Sequence, residues 1–327
     1  MHDKSKGKQV AITGALIGIA AASVKARQHV QAEHSAEASP LKLSKSDWKA
    51  VFIGTKDAIG TKNLPTLAAG VAYYATLAFF PFLAAIVAIA ALVISTDQLN
   101  SLVHAVETYL PADIGGVIIT QLQNLVSRRA DNALAAGIAL AIALFGASGA
   151  SKGIIIASNV AYGVKESRGW LAQQAWGIAW TILGMICGSI AVGLLAVNAT
   201  VLGHLGMPGW LIDTLLYGRW LVLLLLSVFG LAVLYRHGPN RAHVPWRWVW
   251  VGAGIATLMW LAATSLFFVY LQNFANYTQS YSLFAGIIAL MVWMNLSALI
   301  ALVGAEINHQ LENAGSKKWG GFLPHDD

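Results

Sequence analysis

From Ala68 to Ala305 the chain is built of six long apolar runs joined by short polar connectors. They lie near Ala69–Ser95, Leu134–Ala157, Gln174–Leu202, Trp220–Tyr235, Trp248–Leu271 and Leu283–Ala305. A helix rises about 1.5 Å per residue, so about 20 apolar residues cross the roughly 30 Å of a bilayer's hydrocarbon. Backbone amides cannot stay unpaired in hydrocarbon, and the strands of a membrane barrel hold only about ten alternating residues. The pattern therefore predicts an all-α fold: an integral membrane six-helix bundle with flanking amphipathic helices.

The flanking helices show a different period. Ser44 and Asp47 fit a capping box, after which Trp48, Val51, Phe52, Thr55 and Ile59 recur at helical spacing while Lys45, Lys49 and Lys56 share another face. This predicts an amphipathic helix on the membrane surface, or packed on the bundle, before the chain turns inward near Pro65. Two further stripes, Leu99 to Leu110 and Ile114 to Val126, flank Pro111 in the long connector and predict helices that lid or cover the opposite surface. The domain reading is a flexible or interfacial tail over 1–40, the interfacial helix over 41–66, the transmembrane domain over 67–311 and a cytoplasmic tail over 312–327. Lys4, Lys6 and Lys8 ahead of the weakly apolar run Val10–Val24 resemble a signal peptide. Cleavage there would carry the following lysines to the wrong side, which favours the tail.

Composition adds little to that picture and contradicts none of it. Hydrophobic residues make up 57% of the 327, charged residues only 11%, and mean hydropathy is +0.62. Charge placement sets orientation. On the six-span reading, and leaving aside Lys4, Lys6 and Lys8 of the N-terminal tail, fifteen lysines and arginines fall on one side: seven from Lys25 to Lys62, three from Lys152 to Arg168, three from Arg236 to Arg247, and Lys317 and Lys318. Arg128, Arg129 and Arg219 fall on the other. Basic residues of short loops stay in the cytoplasm, so both termini are expected there, in a bacterial inner membrane. The net charge of +6 reads as this topology plus attraction to anionic membrane lipids, with no nucleic-acid partner implied.

Several stretches resemble one known family. Leu67 to Leu83 is similar to the opening signature of the BrkB/YihY membrane proteins. So are Leu144 through Asn159 to Arg168-Gly169, and Leu234 to Asn240 followed by Pro245 to Trp248. The closing stretch, with Phe274 to Tyr277, Tyr281, Trp293 and Gly304-Ala-Glu-Ile-Asn308, is the most specific part. The resemblance covers about Ser44 to Leu311. It implies a bacterial inner-membrane protein with six helices, and a family in which lipid or envelope-precursor transport has been suggested. It also brings an older ribonuclease BN label, regarded as misassigned. The chain departs from the pattern at Phe145, where tryptophan is common, at Gly149, where arginine is common, and at Ser282, where glycine is expected. Lys152 lies one helical turn after Gly149 and is the nearest base.

Candidate chemistry is polar rather than catalytic. Asn159, Asn198, Asn295 and Ser297, with Ser148, Ser151 and Lys152, are costly facing lipid and should point to one another or to a substrate path. Pro81, midway in the first run, removes a backbone bond and predicts a kink. Glycines including Gly252 and Gly304 permit close helix contact or hinges. Arg168, Arg236 and Glu306 mark a cytoplasmic mouth, with Glu306 expected to pair with Lys152, Arg168 or Arg236. Asn273, Asn276, Tyr277 and Tyr281 form an uncharged aromatic outer loop suited to headgroups or to belt anchoring. Metal-dependent hydrolysis needs clustered His and Asp, but the nine histidines are scattered. No metal, no catalytic residue and no cofactor is expected, and no nucleotide-binding loop is present. Cys187, the only cysteine, lies within the third run and is read as packing.

Two functions fit these residues. In one, the protein moves a lipid or amphiphilic envelope precursor between leaflets without its own ATPase. In the other it is a non-transporting scaffold for envelope-assembly proteins. A cavity reaching mid-bilayer and lined by Lys152, Asn159 and Asn295 would favour the first; a solid core would favour the second.

Overall fold

The computed structural model describes residues 39–93, 133–196, 202, 208–241, 245–274 and 282–319. The predicted N-terminal tail, the paired helices of the long connector, Asn198, Asn276, Tyr277 and Tyr281 lie outside the described residues. Within them the chain forms a short 3-10 turn at Pro40–Lys42 and seven α-helices, with no strand. These are α1 (Lys45–Thr61), α2 (Leu64–Val93), α3 (Ala133–Tyr162), α4 (Trp170–Ala196), α5 (Gly209–His237), α6 (Trp246–Phe274) and α7 (Ser282–Trp319).

The start of α1 follows from its capping box. The Ser44 hydroxyl accepts from the Asp47 N–H at 3.2 Å, and the Asp47 carboxylate accepts from the Ser44 N–H at 2.8 Å. Asn63 ends the turn after α1 with φ 51°, a left-handed conformation that asparagine tolerates. Pro65 then falls at the second residue of α2, where its missing N–H has no partner to lose.

Val51, Thr55 and Ala58 bury α1 against α7. Val51 joins Leu43, Trp248 and Leu311 in a small core, with Trp48 and Ile307 packed beside it. The predicted stripe is right in its centre and wrong at its edge, because Phe52 is 73% exposed. At 100° per residue Phe52 falls at the rim of the arc that α7 covers.

Among the described residues four helices are long and apolar enough to cross a membrane, over Trp170–Leu195, Gly209–His237, Trp246–Gln272 and Gly286–Trp319. The expected fourth run, Trp220–Tyr235, is too short: α5 begins at Gly209. Asp213 and Arg219 interrupt the apolar composition there, but Asp213 is exposed and a helix propagates through a solvated charge. Likewise α7 carries on past Ala305 to Trp319, because its final turns pack under α1. The chain remains helical on both sides of Pro81.

The main core lies toward the end of the bundle that α1 covers. Leu64, Ala68, Ala157, Ala161, Ala232, Val249, Ala253, Leu302 and Ala305 meet there, and the six alanines among them let helices approach closely. Away from it the outward faces are apolar: Leu225, Leu258, Leu266 and Phe268 are each more than half exposed. A water-facing surface does not carry so much contiguous apolar area, whereas hydrocarbon requires it. Around the bundle α3 packs on α2 and α4, α2 on α7, α7 on α6 and α6 on α5, while α4 and α5 touch only sparingly.

Candidate functional site

A cleft of about 290 Å³ opens among α2, α3, α4 and α7. Ala75, Ala78, Phe79, Ala147, Ala150, Trp180, Gly184 and Met294 line it, so its walls are mainly apolar. Its polar elements are the Ser151 and Thr181 hydroxyls, 2.9 Å apart. The Trp180 indole nitrogen is buried with no hydrogen-bond partner among the described residues.

Lys152 follows Ser151 on α3 but does not line the cleft; it lines a separate small pocket with Ile155, Glu166, Arg168 and Trp176. Its ammonium donates to the Gln174 side-chain oxygen at 2.6 Å and stands 5.7 Å from the centre of the Phe145 ring. The Gln174 amide donates in turn to the Ser148 hydroxyl at 2.9 Å, and that hydroxyl to the Phe145 carbonyl at 2.6 Å. Gly177 makes this arrangement possible, since a Cβ there would meet the Lys152 side chain and lie 3.2 Å from the Ser148 carbonyl.

The α1 end below is closed by buried charge. Glu306 has no exposed surface; Lys62 donates to it at 2.8 Å and to the Ala161 carbonyl at 2.6 Å, and Gln310 donates to its other oxygen at 2.7 Å. Expected partners of Glu306 are engaged elsewhere: Lys152 by Gln174, Arg168 by Glu166, and Arg236 over the Trp246 ring at 4.7 Å. Arg168 grips Glu166 with two 2.8 Å bonds and reaches the Gly238 carbonyl at 3.0 Å. These bonds hold the Glu166 carboxyl below its ordinary value. Asn159, buried on α3, donates to Glu166 and accepts from the Asn240 N–H, both at 2.8 Å. Arg241 forms a close pair with Glu312 and covers the Tyr162 ring, 3.7 Å from its centre.

Beside this network α6 and α7 cross in backbone contact at Gly252 and Gly304. A Cβ on either glycine would strike the other helix's backbone. Asn308 locks the crossing: its side-chain oxygen accepts from the Gly252 N–H at 2.8 Å, and its amide donates to the Val249 carbonyl at 3.2 Å and the Tyr162 hydroxyl at 3.3 Å. Tyr235 donates to the Ala301 carbonyl at 2.7 Å.

The polar residues nominated from sequence thus do not share one path. Lys152 lines a separate pocket, Asn159 is consumed in the α1-end network, and Ser297 accepts from the Trp260 indole of α6 at 2.9 Å, so none of the three lines the cleft. Asn295 is half-buried on α7, and Asn273 belongs to the last turn of α6. Lys62 and Arg241 counted in the sequence only toward orientation and Glu312 was not singled out; Tyr162, Glu166, Tyr235, Asn240 and Asn308 lay inside recognised segments with no role assigned. Their signal is polar side chains next to apolar runs, which partners far along the chain alone make meaningful. A separate groove of about 580 Å³ runs between α1 and the end of α7, past Asp47, Gln310, Lys317 and Lys318, away from the cleft.

Long apolar helices, an apolar outer face and a polar network confined to one end define an all-α membrane protein. The model of the virulence factor BrkB family matches residues 55–321, and the chain belongs to that family. It is 31% identical to a protein of Bacillus subtilis named as ribonuclease-like, YfkH, over 73% of this chain and 87% of that one. It is also 32% identical to a UPF0761 membrane protein of Tolumonas auensis over 42% of this chain and 47% of the relative. With a UPF0761 membrane protein of Vibrio parahaemolyticus it shares 28% identity over 64% of each chain. Matches to the UPF0761 proteins span from about a quarter to about two thirds of their length. No solved structure matches.

Proposed function

We propose that the protein moves a lipid or lipid-like envelope precursor between leaflets of the bacterial inner membrane, with no ATPase of its own. In this reading α2 to α7 are six spans, and the α1 end, rich in lysine and arginine, faces the cytosol. α2 and α3, at 30 residues each, are about 45 Å long at 1.5 Å per residue, enough to cross. One observation carries the reading: a half-open apolar cleft among four helices with a polar strip, Ser151 and Thr181, on its wall. An acyl chain suits the apolar wall, and the two hydroxyls suit a polar head as it passes. Catalysis is no part of the proposal; the described histidines are occupied in packing, His237 against Trp246 and His309 on Asn313.

The scaffold reading is favoured by a different observation. Glu306, Asn308 and Glu312 clamp the α1 end, which suits a fixed platform for envelope-assembly proteins. Leaflet exchange separates the two. Purified protein in liposomes with labelled phospholipid is expected to speed exchange. Gly184→Trp, which fills the cleft from a position with no neighbour within 4 Å, is expected to slow it again. No acceleration across several lipid classes leaves the scaffold.

A further inference from the structure

We propose that the α1-side ends of α5 and α6 form a binding site for one anionic phospholipid, its phosphate held by Arg236 and its chain laid along Trp246, Phe229 and Trp250. Three other basic residues of this end are paired with carboxylates, Lys62 with Glu306, Arg168 with Glu166 and Arg241 with Glu312, and Arg247 is engaged as well. Arg236 differs. Its guanidinium stands 4.7 Å from the centre of the Trp246 ring, its Nε is buried, and no described residue accepts a hydrogen bond from it. A guanidinium held on a ring keeps its N–H fork pointing sideways, the geometry that grips two oxygens of a phosphate.

An aromatic ladder continues from that point. Trp246 stacks on Phe229 at 6.3 Å with planes 11° apart, and Trp250 lies 5.9 Å from Trp246 and 6.2 Å from Phe229. Phe229 is seven residues before Arg236 on α5, about 10 Å along the helix axis and therefore deeper in the membrane. Phe229 and Trp250 are 51% and 38% exposed, so the ladder faces outward. Charge at the interface and exposed rings below it reproduce the two ends of a phospholipid. An inner leaflet rich in anionic lipid supplies the occupant. The proposal rests on the orientation given above but not on transport: lipid held here without leaflet exchange in liposomes would overturn only the transport reading.

Native mass spectrometry of the full-length protein in detergent tests the site, with phosphatidylglycerol, chain-matched phosphatidylcholine or inorganic phosphate added. Phosphatidylglycerol is expected to be retained in preference to phosphatidylcholine. Arg236→Gln is expected to weaken it about ten-fold, the loss of one charge-assisted contact. Arg236→Lys should keep part of the affinity, and Lys49→Gln, on the exposed face of α1, should keep all of it. Should Arg236→Gln fail to fold, Phe229→Ala is expected to weaken both lipids while sparing the preference between them. Equal loss in Lys49→Gln, undiminished binding in Arg236→Gln, or inorganic phosphate competing as strongly as the lipid would each overturn the assignment.

Discussion

Alanine at Gly252 should unseat the crossing of α6 and α7. The new Cβ would overlap the Gly304 carbonyl oxygen and the Asn308 side chain. Backbone cannot turn aside, so the helices must part or the Asn308 amide must leave. Its departure breaks the 2.8 Å bond from the Gly252 N–H and the longer ones to Val249 and Tyr162. Interhelical hydrogen bonds in membranes contribute about 0.6 kcal/mol each, and at most about 1.7. Overpacking adds about 1–3 kcal/mol. Together these give a loss of about 3–5 kcal/mol, a hundred-fold or more in the folded-to-unfolded ratio. Gly254→Ala, two residues on in the same helix, meets nothing within 4 Å and should lie within about 0.5 kcal/mol of wild type. Unfolding in detergent micelles by titration with dodecyl sulfate, read by tryptophan fluorescence, measures both. Adding Asn308→Ala to Gly252→Ala should recover only part of the loss, since the Gly304 carbonyl still obstructs. Equal stability of Gly252→Ala and Gly254→Ala would refute the close crossing.

The Lys62–Glu306 pair should respond asymmetrically. Lys62→Met strands a carboxylate with no exposed surface beside Gln310 alone, a loss of about 2–4 kcal/mol. Glu306→Gln leaves an ammonium that is 23% exposed and still bonded to Ala161, a loss of about 1 kcal/mol; the same unfolding titration showing the reverse order would contradict the pairing. The Glu166 carboxyl, held below its ordinary 4.5 chiefly by Arg168, contributes stability that is fully present above about that pH. That contribution is lost as pH falls through the folded value, so the stability gap between wild type and Glu166→Gln should shrink below pH 4.5 in thermal unfolding and stay flat above it.

What could be read from sequence was whatever depends on neighbours a few residues away. Ser44 and Asp47 disclose the start of α1 because a capping box is local, and Val51 and Thr55 disclose its buried face. The apolar runs foretell where α2 to α7 lie, with errors where composition and helix part company, at Asp213, Arg219 and the segment after Ala305. The polar network was not legible in the same way. Glu306 and Lys62 are 244 positions apart, and Lys62 reads in sequence as one more topogenic lysine. Asn159 reads as a lipid-shunning amide in search of a path; its partners, Glu166 and the Asn240 amide, come from two different connectors. Gly252 and Gly304 were visible as small residues, but only the pairing of α6 with α7 says which glycines meet.

The arrangement of the bundle in the membrane is tested most directly by single cysteines in a Cys187→Ala background, labelled with a membrane-impermeant maleimide. Lys49→Cys marks the exposed face of α1, and Gly209→Cys the open start of α5, 27 residues before Arg236 at the other end of that helix. In intact cells with a permeabilised outer membrane, Gly209→Cys should react and Lys49→Cys should not until the inner membrane is opened. Labelling of Lys49→Cys in intact cells would contradict the account.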